Sequence, residues 1–508
     1  MEQVLKKSML AQKGQKQTNR PLVLASIMLA MFMGAIEATI VSTAMPAIVG
    51  DLGGFSLYSW VFSAYLLMNA VTVLIYGKLS DLFGRKPILI FGIIIFLVGS
   101  ILCGFAGSMT MLIVFRLIQG FGAGAVTPIA MTIVGDIYTK EERAKIQGYL
   151  SSVWGISAVM GPAIGGLLVE YVSWHYVFWI NIPLGILAII GVGKFLQENV
   201  EKKKHKIDYL GAILLTASIT TLMFVLVEGG TDIAWSSPKA LGLFAISFAA
   251  FVLFVFQEKR AAEPMMPFNI WKERSILIAN LASLTTGVML IGISSFLPAF
   301  VQGVMEKSPI VAGFTLTTMS IGWPIASWAA GRMLLRIGFR STSIIGGVLL
   351  VIGSIMFATL SPEAGPVWAA AGSFLVGAGM GLTSTSFIVS IQSTVSWQQR
   401  GIATASNMFM RNLGNTIGAA LLGGILNSGI KVYIQENGRG ETRNLSVDSA
   451  NLLLNKEERI NMAQEVKDIL QEGLTYSLHW VYFAVLLFAV ISFILIMSLP
   501  KKENDTAE

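Results

Sequence analysis

The sequence predicts an all-α membrane protein that crosses the bilayer fourteen times, with both ends inside. Three observations predict it. Hydrophobic residues make up 54% of the 508 and charged residues only 13%, against about 25% charged in a soluble domain. Fourteen apolar stretches are each long enough to cross a bilayer core, which takes about 20 helical residues. Among the short connections, Lys and Arg fall almost wholly in alternate ones, the asymmetry of the positive-inside rule.

The stretches lie at about 21–47, 57–76, 88–106, 110–132, 147–169, 174–196, 208–228, 238–257, 275–300, 309–330, 341–360, 366–391, 401–427 and 474–499. They are read as helices, because barrel strands would be shorter and would alternate polar with apolar. With residue 1 inside, the inner connections hold Lys78, Arg85 and Lys86; Lys140, Arg143 and Lys145; Lys202, Lys203, Lys204 and Lys206; Lys259, Arg260, Lys272 and Arg274; and Arg332, Arg336 and Arg340. The short outer connections hold little beyond Lys239 and Lys307. The net charge of +7 thus belongs to membrane topology and implies no nucleic-acid partner. Cys103 is the single cysteine, which excludes an intrachain disulfide and a thiolate metal cluster. His175, His205 and His479 are too scattered to suggest a metal site. The basic start (Lys6, Lys7, Lys13, Lys16, Arg20) leads into an apolar stretch too long for a signal-peptide core, so an uncleaved first helix is expected.

Two segments echo each other. Gly77–Lys86 (GKLSDLFGRK) follows the second stretch and Gly331–Arg340 (GRMLLRIGFR) the tenth, with both glycines and the closing basic residue at equal spacing. Both are read as inner loops. The echo suggests a duplicated core, a plan common in secondary transporters. The expected organisation is a tail at 1–20, a six-helix half at 21–196, a loop at 197–207, an inserted helix pair at 208–257, a loop at 258–274, a second six-helix half at 275–499 and a tail at 500–508. One outer segment, 428–473, is long. Its first part (NGRGETRN) is turn-like, and Ser446–Glu472 reads as an amphipathic surface helix over the outer mouth, in preference to a ligand-binding lid.

Glu37 is the one ionisable residue in Pro21–Ile48. A charge there costs at least a few kcal/mol, and such residues usually mark ion or substrate pathways. It lies about 16 residues, or roughly 24 Å, from the inner end of its span. Arg116 lies about 6 residues, or roughly 9 Å, below the outer end of its own. The two depths agree, so carboxylate and guanidinium are expected in one layer, touching directly or through water. Asn69 and Gln119 are the candidate polar neighbours. Arg411, about 10 residues into its span, is either a brace to backbone carbonyls or part of a cavity. Tyr65, Met68, Trp154, Phe296 and Trp323 are further candidates to line that cavity, since aromatic and Met side chains suit greasy, adaptable binding. In the fifth span Gly161 and Gly165 form a small-xxx-small face and Pro162 removes a helix hydrogen bond. Tight packing and a sliding seam fit that pattern equally.

These motifs also carry a resemblance. Gly77, Leu79, Asp81, Gly84, Arg85 and Lys86 resemble the loop signature of the major facilitator superfamily. Arg116, Gln119, Gly120 and Gly122 resemble its Arg-containing motif. Gly155, Gly161, Pro162, Gly165 and Gly166 resemble its antiporter motif. Trp174, Phe178, Asn181, Pro183 and Gly185 resemble the sixth-helix signature of the fourteen-span drug:proton antiporter branch, and Pro298, Gln302, Ser308, Ala312, Gly313, Arg400, Gly401 and Arg411 fit that branch too. The branch usually has Asp at the position of Glu37, and Leu335 replaces Asp81 in the second copy of the loop.

The resemblance implies a major facilitator fold and a monomer in a bacterial cytoplasmic membrane. It implies proton-coupled export of lipophilic, often cationic, drugs or toxic compounds by alternating access. Glu37 and Arg116 would couple protons, and Gly77, Asp81, Gly84, Arg85 and Lys86 would gate the inner side. No cofactor is expected; the proton gradient supplies the energy. One alternative is an exporter of a single metabolite, lipid-like compound or antibiotic. A membrane enzyme or sensor is disfavoured, for the chain has no phosphate-loop pattern, no HExxH helix and no His–carboxylate pair placed for catalysis.

Overall fold

Asn19, Ser108, Asp208, Ser237 and Ser308 each offer a side-chain oxygen to a free backbone N–H at the start of a long helix, as N-caps do. Such helices make up the computed structural model, which describes residues 18–138, 140–198, 208–229, 233–261, 268–395 and 400–500. They are α1 (Arg20–Leu52), α2 (Tyr58–Phe83), α3 (Arg85–Gly104), α4 (Met109–Ile137), α5 (Lys140–Tyr171), α6 in two pieces (His175–Trp179 and Asn181–Phe195), α7 (Tyr209–Glu228), α8 (Pro238–Arg260) and α9 (Arg274–Ala299). The next helix, Pro309–Ala358, runs for 50 residues, about 75 Å and far more than one bilayer. It breaks at Gly338, whose φ of 77° and ψ of 170° are not helical. The arms before and after Gly338 are α10 and α11. Then come α12 (Gly365–Thr394), α13 (Arg400–Asn437) and α14 (Gln464–Met497). Among the described residues thirteen helices are long and apolar enough to cross a membrane, the broken one counted once; the stretches at 309–330 and 341–360 both fall in it. The described residues form no strand, only the isolated bridge Gly229–Ile233.

Two expectations are corrected. Gly77–Lys86 is not a loop: α2 continues through Gly77 to Phe83, and the turn is confined to Gly84. Gly84 (φ 94°, ψ 153°) and Gly338 (φ 77°, ψ 170°) hold equivalent places in the two copies of the echo and share one conformation, essentially open only to glycine. The repeat therefore preserves a turn residue, while Gly77 and Gly331 are helix-interior positions. Nor is Ser446–Glu472 a single surface helix. Short turns at Gly440–Asn444 and Val447–Ala450 lead into Asn451–Leu454 and Lys456–Asn461. Asn455 accepts from the backbone N–H groups of Glu457 and Glu458, so it starts a new helix there, and from Gln464 the chain is already α14.

The two six-helix halves meet through α1 with α9, α5 with α10, and α2 with α13. The α7–α8 pair leans on α2 and α13 through α7. At the end that the charge asymmetry predicts to face outside, one apolar core joins both halves, including Tyr58, Phe178, Phe296, Phe300, Leu426 and Tyr482. Toward the other end each half has a core of its own, around Ile93 and Ile129 in the first and Ile276 and Phe387 in the second, and a smaller cluster joins Leu67 and Val71 of α2 to Phe409 and Met410 of α13 against α7. Hydrogen bonds follow the same division. Tyr58 Oη donates to the Ser295 carbonyl (2.6 Å), Gln302 Nε2 to that of Thr43 (3.2 Å) and Asn427 Nδ2 to that of Ser56 (2.6 Å). The segment before α14 adds a clasp: Asn455 Nδ2 donates to the Gly50 carbonyl and Arg459 Nη1 to that of Gln302, each at 3.0 Å. The molecule is closed at this predicted outer end.

Candidate functional site

Five helices of the first half converge on one buried charge. Glu37 on α1 and Arg116 on α4 are 0% and 2% exposed and form an ion pair at 2.5 Å. Arg116 Nη1 also donates to Gln119 Oε1 at 2.7 Å, and its Nε to the Val61 carbonyl of α2 at 3.2 Å. The Tyr65 ring faces the guanidinium at 4.1 Å, with Phe178 at 6.0 Å, both within cation–π range. The second Glu37 oxygen accepts from Asn181 Nδ2 of α6 at 2.6 Å. Ser100 of α3 closes the network, taking a hydrogen bond from Gln119 Nε2 at 2.7 Å and lying 3.4 Å from Asn181 Nδ2. A buried pair needs this degree of satisfaction, because desolvation can otherwise exceed the Coulombic gain.

The structure thus brings Glu37, Arg116, Gln119 and Tyr65 together and adds Asn181, Phe178 and Ser100. Asn181 and Phe178 stood in the sequence as parts of a signature, with no sign that they touch Glu37. Neutral amides and rings in apolar spans give no charge signal, so their partners are set by the fold. Asn69 lies one helical turn beyond Tyr65 on α2 and is half-buried.

Glu37 is also tied to the glycine-rich face of α5. A Cβ at Gly161 would collide with Thr39 Oγ1, and one at Gly165 would come 2.9 Å from the Ile40 carbonyl. The opposite side of α5 meets the second half. There a Cβ at Gly166 would come 2.9 Å from the Pro309 carbonyl, one at Gly155 3.5 Å from Pro324, and one at Gly313 of α10 would strike the Pro162 carbonyl. The motif is a seam through which α1, α5 and α10 approach backbone to backbone.

At the predicted inner end the side chain of Asp81 lies outside the described residues, as does that of Arg400. Arg85 and Lys86 start α3, and both their backbone N–H groups donate to the Glu198 carboxylate, at 2.7 and 2.9 Å. Arg85 Nε pairs with Asp136 Oδ2 of α4 at 3.2 Å, and its Nη1 donates to the Ser80 carbonyl at 2.9 Å. Lys86 Nζ reaches the Leu196 carbonyl at 2.8 Å. Glu198 and Asp136 were not singled out in the sequence, since acids at span ends are unremarkable there.

The remaining cavity candidates divide. Phe296 is fully buried and stacks on Tyr58 at 5.7 Å, so it belongs to the outer seam. Met68, Trp323 and Arg411 are half-buried, and Trp154 is 42% exposed. The Arg411 guanidinium lies 5.9 Å from the Trp323 ring and makes no hydrogen bond to a backbone carbonyl among the described residues.

Comparison with known proteins agrees with this architecture. The Major Facilitator Superfamily model matches residues 27–419. The chain is 37% identical over 413 residues to the multidrug transporter protein MdtP of Bacillus subtilis (strain 168), covering 81% of this chain and 76% of the relative. It is 38% identical over 408 residues to multidrug resistance protein 3 of the same organism, covering 80% of each. Among solved structures it resembles an inward-facing, unoccupied bacterial homolog of the human lysosomal transporter Spinster (TM-score 0.67, 16% identity, 96% of this chain and 99% of that one). It also resembles a D-xylose-proton symporter (TM-score 0.63, 12% identity, 96% and 99%). Helices, halves and family match converge: the chain is a multi-pass membrane protein that belongs to the Major Facilitator Superfamily.

Proposed function

We propose that the protein is a proton-coupled antiporter that exports lipophilic, often cationic, compounds across a bacterial cytoplasmic membrane, working as a monomer without a cofactor. The observation that carries this reading is the buried Glu37–Arg116–Asn181 cluster next to the α5 seam. The multidrug relatives support the cargo class.

The cycle rests on competition between two charge states. With Glu37 ionised, the carboxylate ties α1 to α4 through Arg116 and to α6 through Asn181. A proton on Glu37 cancels the attraction to Arg116, which keeps Gln119, the Val61 carbonyl and the Tyr65 face. Glu37 has no exposed surface in this conformation, so a cationic cargo does not meet it here. The coupling runs instead along α1, where Thr39 and Ile40, two and three residues on, pack into the Gly161–Gly165 face. Loosening the ion pair frees α1 to shift against α5, and α5 carries the shift to α10 in the other half. Proton arrival from outside and cargo arrival from inside then favour opposite conformations.

Replacing Glu37 by Gln keeps the shape and an acceptor for Arg116 but removes the exchangeable proton. In proteoliposomes this variant should fold and bind cargo yet lose export driven by a pH gradient. Export at the wild-type rate would refute the reading.

A further inference from the structure

The second half holds a buried cation that the cycle above does not use. Arg411 lies on α13, where no described side chain from Ala403 to Lys431 is exposed. The guanidinium is turned toward Trp323 of α10, so its residual accessibility lies between these two helices. Thr404, Met408, Arg411 and Asn415 follow the helical spacing i, i+4, i+7 and i+11, and all four are half-buried, as are Asn412, Leu413 and Ile417 on other sides of α13. Among the described residues Arg411 has neither an acidic partner nor a hydrogen bond. One turn on, the Asn415 amide is equally unpaired, and its Oδ1 is buried. Trp323 of α10 offers a ring 5.9 Å from the guanidinium, within cation–π range, but a ring supplies no hydrogen-bond acceptor for the guanidinium N–H groups. Arg116 shows the contrast, with an acid, an amide, a carbonyl and two rings around it. A cation inside a membrane protein normally pairs with an acid or with carbonyls. Arg411 keeps all five guanidinium donors available, in the planar fork that matches a carboxylate.

We propose that Arg411, with Asn415 and the Trp323 ring, forms a receiving site for the acidic group of amphiphilic aromatic substrates, carboxylates and zwitterions included. The carboxylate takes the guanidinium fork, the amide donates alongside it, and the aromatic body lies against Trp323. This rests on the export reading and widens its cargo: cationic compounds act through the Glu37 half and acidic ones dock in the Arg411 half.

The test is equilibrium binding to the purified full chain, by isothermal titration calorimetry, of two ligands of nearly equal shape, 2-naphthoate and its neutral amide. Wild type should bind the carboxylate at least tenfold more tightly than the amide. Arg411→Gln should erase that preference and leave the amide within twofold, Arg411→Lys should keep part of it, and Trp323→Ala should weaken both ligands. The proposal is overturned if wild type binds the carboxylate no more tightly than the amide, a comparison that needs no variant to fold. It is equally overturned if Arg411→Gln retains the tenfold preference. No proton gradient is involved, so the result is independent of whether Glu37→Gln abolishes export.

Discussion

Removing Arg116 gives the sharpest test of the buried cluster. In Arg116→Met a side chain of similar length fills the space, but Glu37 keeps only Asn181 as a donor, Gln119 Oε1 loses a bond at 2.7 Å and the Val61 carbonyl one at 3.2 Å. Glu37 stays 0% exposed, so water does not replace what is lost. Breaking a buried pair this way costs about 3–5 kcal/mol, because an uncompensated charge remains. Replacing both members by apolar residues, Glu37→Leu with Arg116→Met, should cost far less and approach neutrality, since the desolvation penalty disappears with the pair. The double-mutant cycle should therefore show a coupling energy of a few kcal/mol. The assay is reversible unfolding of the purified chain in mixed micelles at alkaline pH, where a proton does not readily neutralise the lone carboxylate. An Arg116→Met cost below about 1 kcal/mol, the scale of an exposed pair, would refute the argument from burial. So would a double variant less stable than the sum of its singles.

Two further predictions follow from the turn glycines and the outer clasp. A Cβ at Gly338 would meet nothing within 4 Å, but the residue has positive φ, so Gly338→Ala should cost about 1–3 kcal/mol from backbone strain alone; Gly331→Ala, equally uncrowded but helical, should be neutral or slightly stabilising, and equal effects in thermal unfolding would contradict the assignment of the turn. Lys467 Nζ, 2.6 Å from Glu306 Oε1, holds that carboxyl below the ordinary value of 4.5; its contribution is present above 4.5 and lost as pH falls through the lower folded value, and with both groups partly exposed it is worth only about 0.2–1 kcal/mol, so Glu306→Gln should lower the melting temperature slightly at pH 7 and leave it unchanged in strong acid.

Spanning helices were legible because about 20 apolar residues in a row have few other uses. Their ends were not. α2 runs to Phe83, seven residues past the apolar stretch ending near 76, and α14 begins at Gln464, ten before the stretch starting near 474. Helical turns that project beyond the bilayer are polar, so hydropathy does not mark them, and only capping and turn residues fix where they stop. Gly84 and Gly338 show the same limit. Spacing revealed that a pattern repeats, but not which of its glycines turns the chain, because that depends on a dihedral angle and not on composition.

The site was legible in proportion to what each residue costs in an apolar helix. Glu37, Arg116 and Arg411 stand out because a charge there needs a reason. Asn181 and Ser100 do not, since neutral polar groups in spans are cheap to place and pair readily across helices. The same asymmetry left the two arginines alike in the sequence. Depth matched Arg116 to Glu37, whereas for Arg411 it gave only a level in the membrane. Packing separates them: one guanidinium is surrounded by a fixed set of partners in the first half, the other has a single ring beside it and an unpaired amide one turn on in the second. A fixed ion pair suits a switch that must respond to one proton. An unsatisfied donor fork suits a site whose partner arrives and leaves with each cycle, and that difference is the ground for proposing coupling in one half and acidic cargo in the other.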